Sequence, residues 1–309
     1  MIENTCQLYD LLEKHRQNAG IIKTRKIAFS GVDGHDVYNI SSEFSWNGTV
    51  YIAGRVEQRH TEISTVRFFE KTGDGAYKVT PLIIANLQDP FVEKIDGQLL
   101  IGGTEIYPDG NGFIHFWHTV FYYGPSIDQL TKIIEAPIKM KDVRIAKGDR
   151  YYVMSRPQGG HAAWGKIGFT MADALTDITS MLIEEAPLIE DLFGAKCWGG
   201  ANQIHCLRNG WLGVLGHVAV MSEGDVRHYY GMTFAIHPVT RARTPMKIIC
   251  ERNDFAPGAS KRPDLIDVVF VGGLVRQPDN TAVLYTGLSD AEAHYAVIED
   301  PFLEYEELK

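Results

Sequence analysis

Five polar residues head similar segments of the chain: Asp36, Asp89, Asp142, Asn202 and Asp267, spaced 53, 53, 60 and 65 residues apart. Carboxylates gathered from distant parts of a chain can divide acid–base work, one holding a transferable proton while another stays ionised. Asp89 stands out within NLQDPFVEKIDGQLLIGGTE because it abuts Pro90 at a strand start. Proline has a fixed φ and no N–H, so this pair is poor material for a buried ladder. It suits an ordinary hairpin that begins with an acid, or a carboxylate held at the mouth of a site.

The elements that must position these residues are strands. From Gly34 onward the chain alternates strand-like runs with turn signals. DVYNISSEFSWNGTVYIAGRVE is a strand, an Asn47-Gly48 turn and an apolar strand. DPFVEKIDGQLLIGGTE, DVRIAKGDRYYVMSRP, NQIHCLRNGWLGVLGHVAV and DVVFVGGLVRQPDNTAVLYTGLSD repeat the plan. Further strand-like runs such as STVRFFEKTGDGAYKVT and GKIGFTMADALTDI follow each hairpin. A period of about fifty residues with about four strands per unit predicts propeller blades. The expectation is an all-β fold, a five-bladed β-propeller over residues 31–309, preceded by a helical segment over residues 1–30. In that segment Leu8, Leu11 and Leu12 share one helical face, and Gly20 marks the stop. A pair of β-sandwiches would not produce equal steps between acids. The innermost strand of each blade lines a central channel, so the five leading residues should form a ring.

Composition narrows the partners. The 309 residues carry 39 acidic against 30 basic side chains, a net charge of −9, with no basic run. That argues against nucleic acid or an anionic membrane as partner. The four cysteines lack C-x-x-C spacing and make a poor disulfide framework for this length. Neither a signal segment nor an apolar run of spanning length is evident, and the expected setting is the cytoplasm.

Converging carboxylates without a phosphate-binding glycine loop, metal-spaced histidines or a G-x-S-x-G elbow suggest carbohydrate chemistry, where an acid protonates the leaving oxygen. The plain alternative is that they cap loops or bind a structural ion. Arg55, Arg144, Arg156, His217, Lys261 and Arg262 also fall near inner-strand ends. Guanidinium forks suit carboxylates or phosphates, so an anion in the reaction is expected; otherwise these groups are salt-bridge partners for the acids. His115 and His118 should point to opposite faces of a strand, which excludes joint metal ligation. Trp198 fits either a sugar-stacking or a core role, and Cys197 and Cys206 read as small buried hydrophobes.

The runs GVDGHDVYNIS, AGRVEQRHTEIS, LQDPFVEKIDGQLLIGG, KDVRIAKGDRYYVMSRP, WGGANQ and KRPDLIDVVFVGGLV resemble the domain of unknown function 1861 family, over nearly the whole chain. That group includes the mannosyltransferase-phosphorylases of glycosyltransferase family 108. At greater distance the chain is similar to the mannoside phosphorylases of glycoside hydrolase family 130, through RVE, KDVRI…SRP, GKIGF and YTGLSD.

The resemblance implies an inverting enzyme of β-1,2-linked mannosides. It would form α-mannose 1-phosphate by phosphorolysis and extend the oligomer in reverse. Its partners would be a carbohydrate and inorganic phosphate as co-substrate, with no other cofactor and no metal. Asp89 would be the general acid, the distant family passing the proton through a sugar hydroxyl. Arg55 would hold the mannose, with Asp36, Asn39, Glu57, Asp142, Asn202, Asp267 and Asp290 as further substrate contacts. Lys141 and Arg156 would hold phosphate, joined by Arg144, His217 and Tyr230. The chain departs from the distant family at Gln88-Asp89-Pro90-Phe91, where that family has Glu-Asp-Pro-Arg, and at Asp36, where it tends to carry Asn. Two other readings follow: a five-bladed hydrolase with Asp36 as base and Asp89 as acid, and a noncatalytic sugar-binding propeller.

Overall fold

Short apolar runs closed by glycine, asparagine and aspartate turns fold as strands over most of the chain. The computed structural model describes residues 3–309, and it is mostly β. Asn47-Gly48 (φ 48° and 80°) and Asp96-Gly97 (φ 50° and 75°) have the paired positive φ of type I′ hairpins. None of the described helices is long and apolar enough to cross a membrane.

The strands form antiparallel meanders in chain order. The first is built on Thr49–Glu57, Ser64–Gly73 and Ala76–Ala85. Its inner edge is split into Asp36–Tyr38 and Phe44–Trp46, both paired with Thr49–Glu57. The second comprises Leu87–Ile95, Gln98–Pro108, Ile114–Gly124 and Thr131–Glu135. The third has only Arg144–Lys147, Tyr151–Ser155 and Gly168–Ala172. A fourth strand is replaced there by the short helix Ser180–Glu184, started by the Thr179 hydroxyl accepting from the Leu182 N–H. Trp198–Cys206, Leu212–Met221, Arg227–Ile236 and Lys247–Cys250 follow. Asp267–Arg276, Thr281–Leu288 and Glu292–Glu299 come last, tied to the preceding group by parallel pairing of His228 with Asp267.

The helix Glu3–Gln17 buries Leu8 and Leu12 in a core shared with Phe169 and Phe234. The Arg16 guanidinium donates twice to Glu251, at 2.8 Å each. After this helix the chain departs from the expected helical segment: Ile21–Lys26 is a strand paired antiparallel with Glu292–Glu299. The first strand therefore lies beside the last. Pairing satisfies backbone groups on the edge of the final meander, which would otherwise stay open.

Five apolar clusters join successive meanders. Phe68 packs with Leu87 and Val120, Phe121 with Val143 and Val153, Met154 with Val214, and Leu215 with Val271. The remaining cluster joins Ile52 and Phe69 of the first meander to Tyr285 and Tyr295 of the last. The inner strand ends are thereby turned toward one another.

Candidate functional site: an acidic wall facing a cationic wall

Asp89 occupies a bulge. The pairing of its strand with Gln98–Pro108 slips between Gln88 and Phe91, so Asp89 and Pro90 lie outside the ladder. Asp89 has φ 49°, and the absent N–H of Pro90 sacrifices no ladder bond at a bulge. Asn202 sits in a comparable slip, between Ala201 and Gln203. Asn39 (φ 44°) and Asp142 (φ 59°) share the left-handed backbone of Asp89 beside their inner strands. Asparagine and aspartate tolerate that conformation best among non-glycine residues. The close approach of Gly287 secures Asn39, since a Cβ there would meet Asn39 Oδ1 at 2.1 Å.

Asn39, Asp89 and Asp142 open onto a pocket of about 280 Å³. One wall carries Asn39, Arg55, Glu62, Asp89 and Asp290. Arg55 is its hub: Nη1 donates to Asp89 Oδ1 at 3.3 Å, and Nη2 donates to Glu57 and Glu62 at 2.9 Å each. The Asn39 amide donates to the same Asp89 oxygen at 2.8 Å. Burial raises the Glu62 pKa, but Arg55, Lys261 and Arg262 outweigh it and hold Glu62 below the usual range. Burial pushes Asp290 up to about 6; Asp89 adds to the rise, while Arg55 and Lys261 oppose it.

The facing wall carries Lys141, Asp142, Arg156 and His217. Burial would raise the Asp142 carboxyl, yet the Arg156, Lys141 and Arg144 cations keep its pKa low. Arg156 Nε donates to the Gly199 carbonyl at 2.9 Å, while its buried Nη1 has no hydrogen-bond partner and lies 3.5 Å from Asp142. Burial drives His217 down to about 3, so its ring is neutral. Nδ1 donates to Asn202 Oδ1 at 2.8 Å, which leaves the Nε2 lone pair to accept. Three fixed cations around one carboxylate leave an excess positive charge in a buried site, the setting that binds an anion.

The structure brings together Asn39, Arg55, Asp89, Lys141, Asp142, Arg156, His217 and Asp290. It places the other expected residues behind or beside the pocket. Asp36 leads its strand, but its carboxylate is held by the Arg59 guanidinium, away from the pocket lining. Asp267 is bound by His228 at 2.6 Å and likewise lies outside the lining. Asn202 is fully buried, accepts from His217 and is also absent from the lining. The five-residue ring is therefore incomplete at three positions: a repeated place on an inner strand does not by itself turn a side chain into the pocket. Tyr230 points into the core and reaches Asp267 at 3.4 Å, whereas Tyr229 lines the pocket, since adjacent strand residues face opposite ways. Arg144 donates to the Asn202 carbonyl at 2.8 Å and lies over the Phe91 ring at 4.6 Å, supporting the wall from behind. Glu57 is similarly a support, accepting from Arg55, Tyr38 and Lys261.

Trp198 is 5% exposed and donates from Nε1 to the Tyr229 hydroxyl at 3.2 Å, so it belongs to the packing. His118 is buried against the Ala136 carbonyl, and His115 faces solvent beside Asp109. Sequence reasoning missed Glu62, Tyr229, Arg227 and Phe270. Glu62 lies in AGRVEQRHTEIS but at no repeated position, and Tyr229 required the phase of its strand.

Comparison with solved structures points the same way. A mannose phosphorylase from Leishmania mexicana, in complex with phosphate ion, is 33% identical with a TM-score of 0.88, over 96% of this chain and 94% of the other. A GDP-Man-dependent mannosyltransferase from Leishmania mexicana is 32% identical with a TM-score of 0.88, over 98% and 97%. A β-1,2-mannobiose phosphorylase from Listeria innocua, in complex with β-1,2-mannobiose, shares the fold at 14% identity and a TM-score of 0.65, over 94% and 97%. No curated protein matches the chain significantly. A family profile matches residues 13–304, and the chain belongs to that family, Protein of unknown function (DUF1861).

Proposed function

We propose that the protein is an inverting β-1,2-mannoside phosphorylase and mannosyltransferase. The carrying observation is the buried cationic wall, in which Arg156 Nη1 pairs with Asp142 but makes no hydrogen bond, sharing one small pocket with Asp89. Phosphate is already an anionic nucleophile, so it needs cations to place it rather than a base to activate it. A phosphate oxygen bonds to C1 of the mannose as the glycosidic C1–O bond breaks. The departing oxygen gains a proton originating from Asp89, and the products are α-mannose 1-phosphate and the shortened mannoside. In reverse, Asp89 recovers the proton from the acceptor hydroxyl and the oligomer grows. Arg55 and Asn39 orient Asp89, and Asp290 offers a further contact to sugar hydroxyls. Lys141 and Arg156 bind phosphate; His217 contributes as a neutral acceptor. The likeness to relatives of both activities supports this reading.

We count the meanders as five blades, residues 31–309 forming the catalytic propeller with Ile21–Lys26 completing the last blade. The circular order of the apolar clusters supports that count. The proposed setting is the cytoplasm, and the free thiols of Cys197, Cys206 and Cys250 fit a reducing compartment.

Incubation with β-1,2-mannobiose, with and without phosphate, tests the function. Formation of α-mannose 1-phosphate only when phosphate is present is expected. Free mannose at an unchanged rate without phosphate would instead identify a hydrolase.

A further inference from the structure

The aromatic rings beside the cationic wall do not end at the pocket. His217 stacks on Tyr229 with centroids 5.5 Å apart, Tyr229 meets Trp198 at 5.9 Å, and Trp198 meets Trp164 at 5.2 Å. Tyr229 and His217 line the pocket, and Trp198 is buried between its neighbours. Trp164 is 60% exposed. One face of its indole is covered by Trp198 while the remainder meets solvent.

The residue before Trp164, Ala163, is held in a costly conformation. The Gly165 N–H donates to the Ala162 carbonyl at 2.9 Å, closing a turn in which Ala163 has φ 49° and ψ −118°. Those angles belong to the first central position of a type II′ turn, which glycine dominates. Strain of this kind persists where surrounding structure over-determines it, and it concentrates at functional sites. Here the Gly159 N–H donates to Ala163 at 2.7 Å, and Gln158 Nε2 donates to the Trp164 carbonyl at 3.4 Å. Gly165 also packs so closely on Arg156 that a Cβ would meet its guanidinium at 3.0 Å. The turn that presents Trp164 thus rests on the phosphate-binding arginine.

The geometry points to Trp164 as a stacking platform for a mannosyl unit of the oligosaccharide outside the catalytic pocket. This rests on the mannoside reading above and adds a subsite to it. A pocket of about 280 Å³ is small beside the roughly 300–1,000 Å³ of ordinary ligand sites, so an oligomer with one sugar inside must continue past the mouth. An indole offers a rigid apolar face to the C–H face of a pyranose at little conformational cost. The charges at the mouth favour a neutral occupant over a nucleoside diphosphate. Arg262 is paired with Glu62 at 3.0 Å and with Asp264 at 3.1 Å, and Arg227 is likewise paired with Asp264, so each rim arginine already has a carboxylate partner.

The test compares wild type, Trp164→Ala and Trp164→Phe in phosphorolysis of β-1,2-mannotriose, with fluorescence titrations of mannotriose and of GDP. In the alanine variant the KM for mannotriose should rise about five- to tenfold, the loss expected for one aromatic contact. The KM for phosphate should stay within about twofold, and phenylalanine should restore most of the affinity. An unchanged mannotriose KM, or an equal rise for phosphate showing that the turn acts through Arg156, overturns the platform. So does loss of GDP binding with mannotriose binding intact, which would make Trp164 a nucleobase platform. If wild type binds mannotriose without converting it, the reaction reading fails, and the titration alone decides whether Trp164 holds the sugar.

Discussion

Asn39 and Asp89, fifty residues apart in the chain, meet at 2.8 Å, the Asn39 amide donating to Asp89 Oδ1. Arg55 Nη1 approaches the same oxygen at 3.3 Å, so one carboxylate oxygen is engaged by two donors from the neighbouring meander. Replacing Asp89 by Asn retains shape but removes the transferable proton, a step worth about 10²–10⁴-fold. Asp89→Asn should lower kcat on mannobiose by that factor with the circular-dichroism melting curve almost unchanged. Ordinary turnover would show that another group is the acid.

Arg156 offers a different signature. A charge-assisted contact to an anion is worth a few kcal/mol, so Arg156→Ala should raise the KM for phosphate about 10²-fold and that for mannobiose far less. Initial-rate kinetics with each substrate varied in turn separate the two. Equal rises would place Arg156 in the framework rather than at phosphate.

Asp36 divides phosphorylase from hydrolase. Its carboxylate is engaged by Arg59 and lies outside the pocket lining. Asp36→Asn should therefore leave most phosphorolysis intact. A hydrolase using Asp36 to activate water would lose nearly all activity, and measuring product with and without phosphate distinguishes them.

Stability should carry a pH signature from Glu93. Burial raises its pKa from 4.5 to about 7, partly opposed by the hydrogen bond from Gln203. Below the unfolded value the group is neutral in both states; as pH rises toward the folded value only the unfolded chain ionises freely, so stability falls. Relative to Glu93→Gln, wild type should lose Tm between about pH 5 and about pH 8. Thermal melts across that range check it, and a constant difference would mean that Glu93 is not held neutral.

The repeat was legible because strand pairing imposes local rules. Asn47-Gly48 and Asp96-Gly97 form the expected turns, and the strands they join follow alternating patterns written into neighbouring residues. Asp89 was legible for the same reason, since a proline beside an acid at a strand start already announced a break in the ladder. The N-terminal strand was not. Ile21–Lys26 has an irregular burial pattern, and its partner Glu292–Glu299 lies at the far end of the chain.

Residue types and spacing by themselves determined a repeated β architecture, acids and cations near its inner strand ends, and Asp89 as the distinctive carboxylate. Only the tertiary structure decided which of those side chains share a pocket. Asp36, Asn202 and Asp267 hold repeated places on their inner strands but turned to Arg59, His217 and His228. Tyr229 entered the pocket where Tyr230 did not, and of the two packed indoles Trp164 is exposed and Trp198 buried. The reason is geometric: one bulge or one change of strand phase redirects a side chain to the opposite face, while spacing along the sequence stays almost the same.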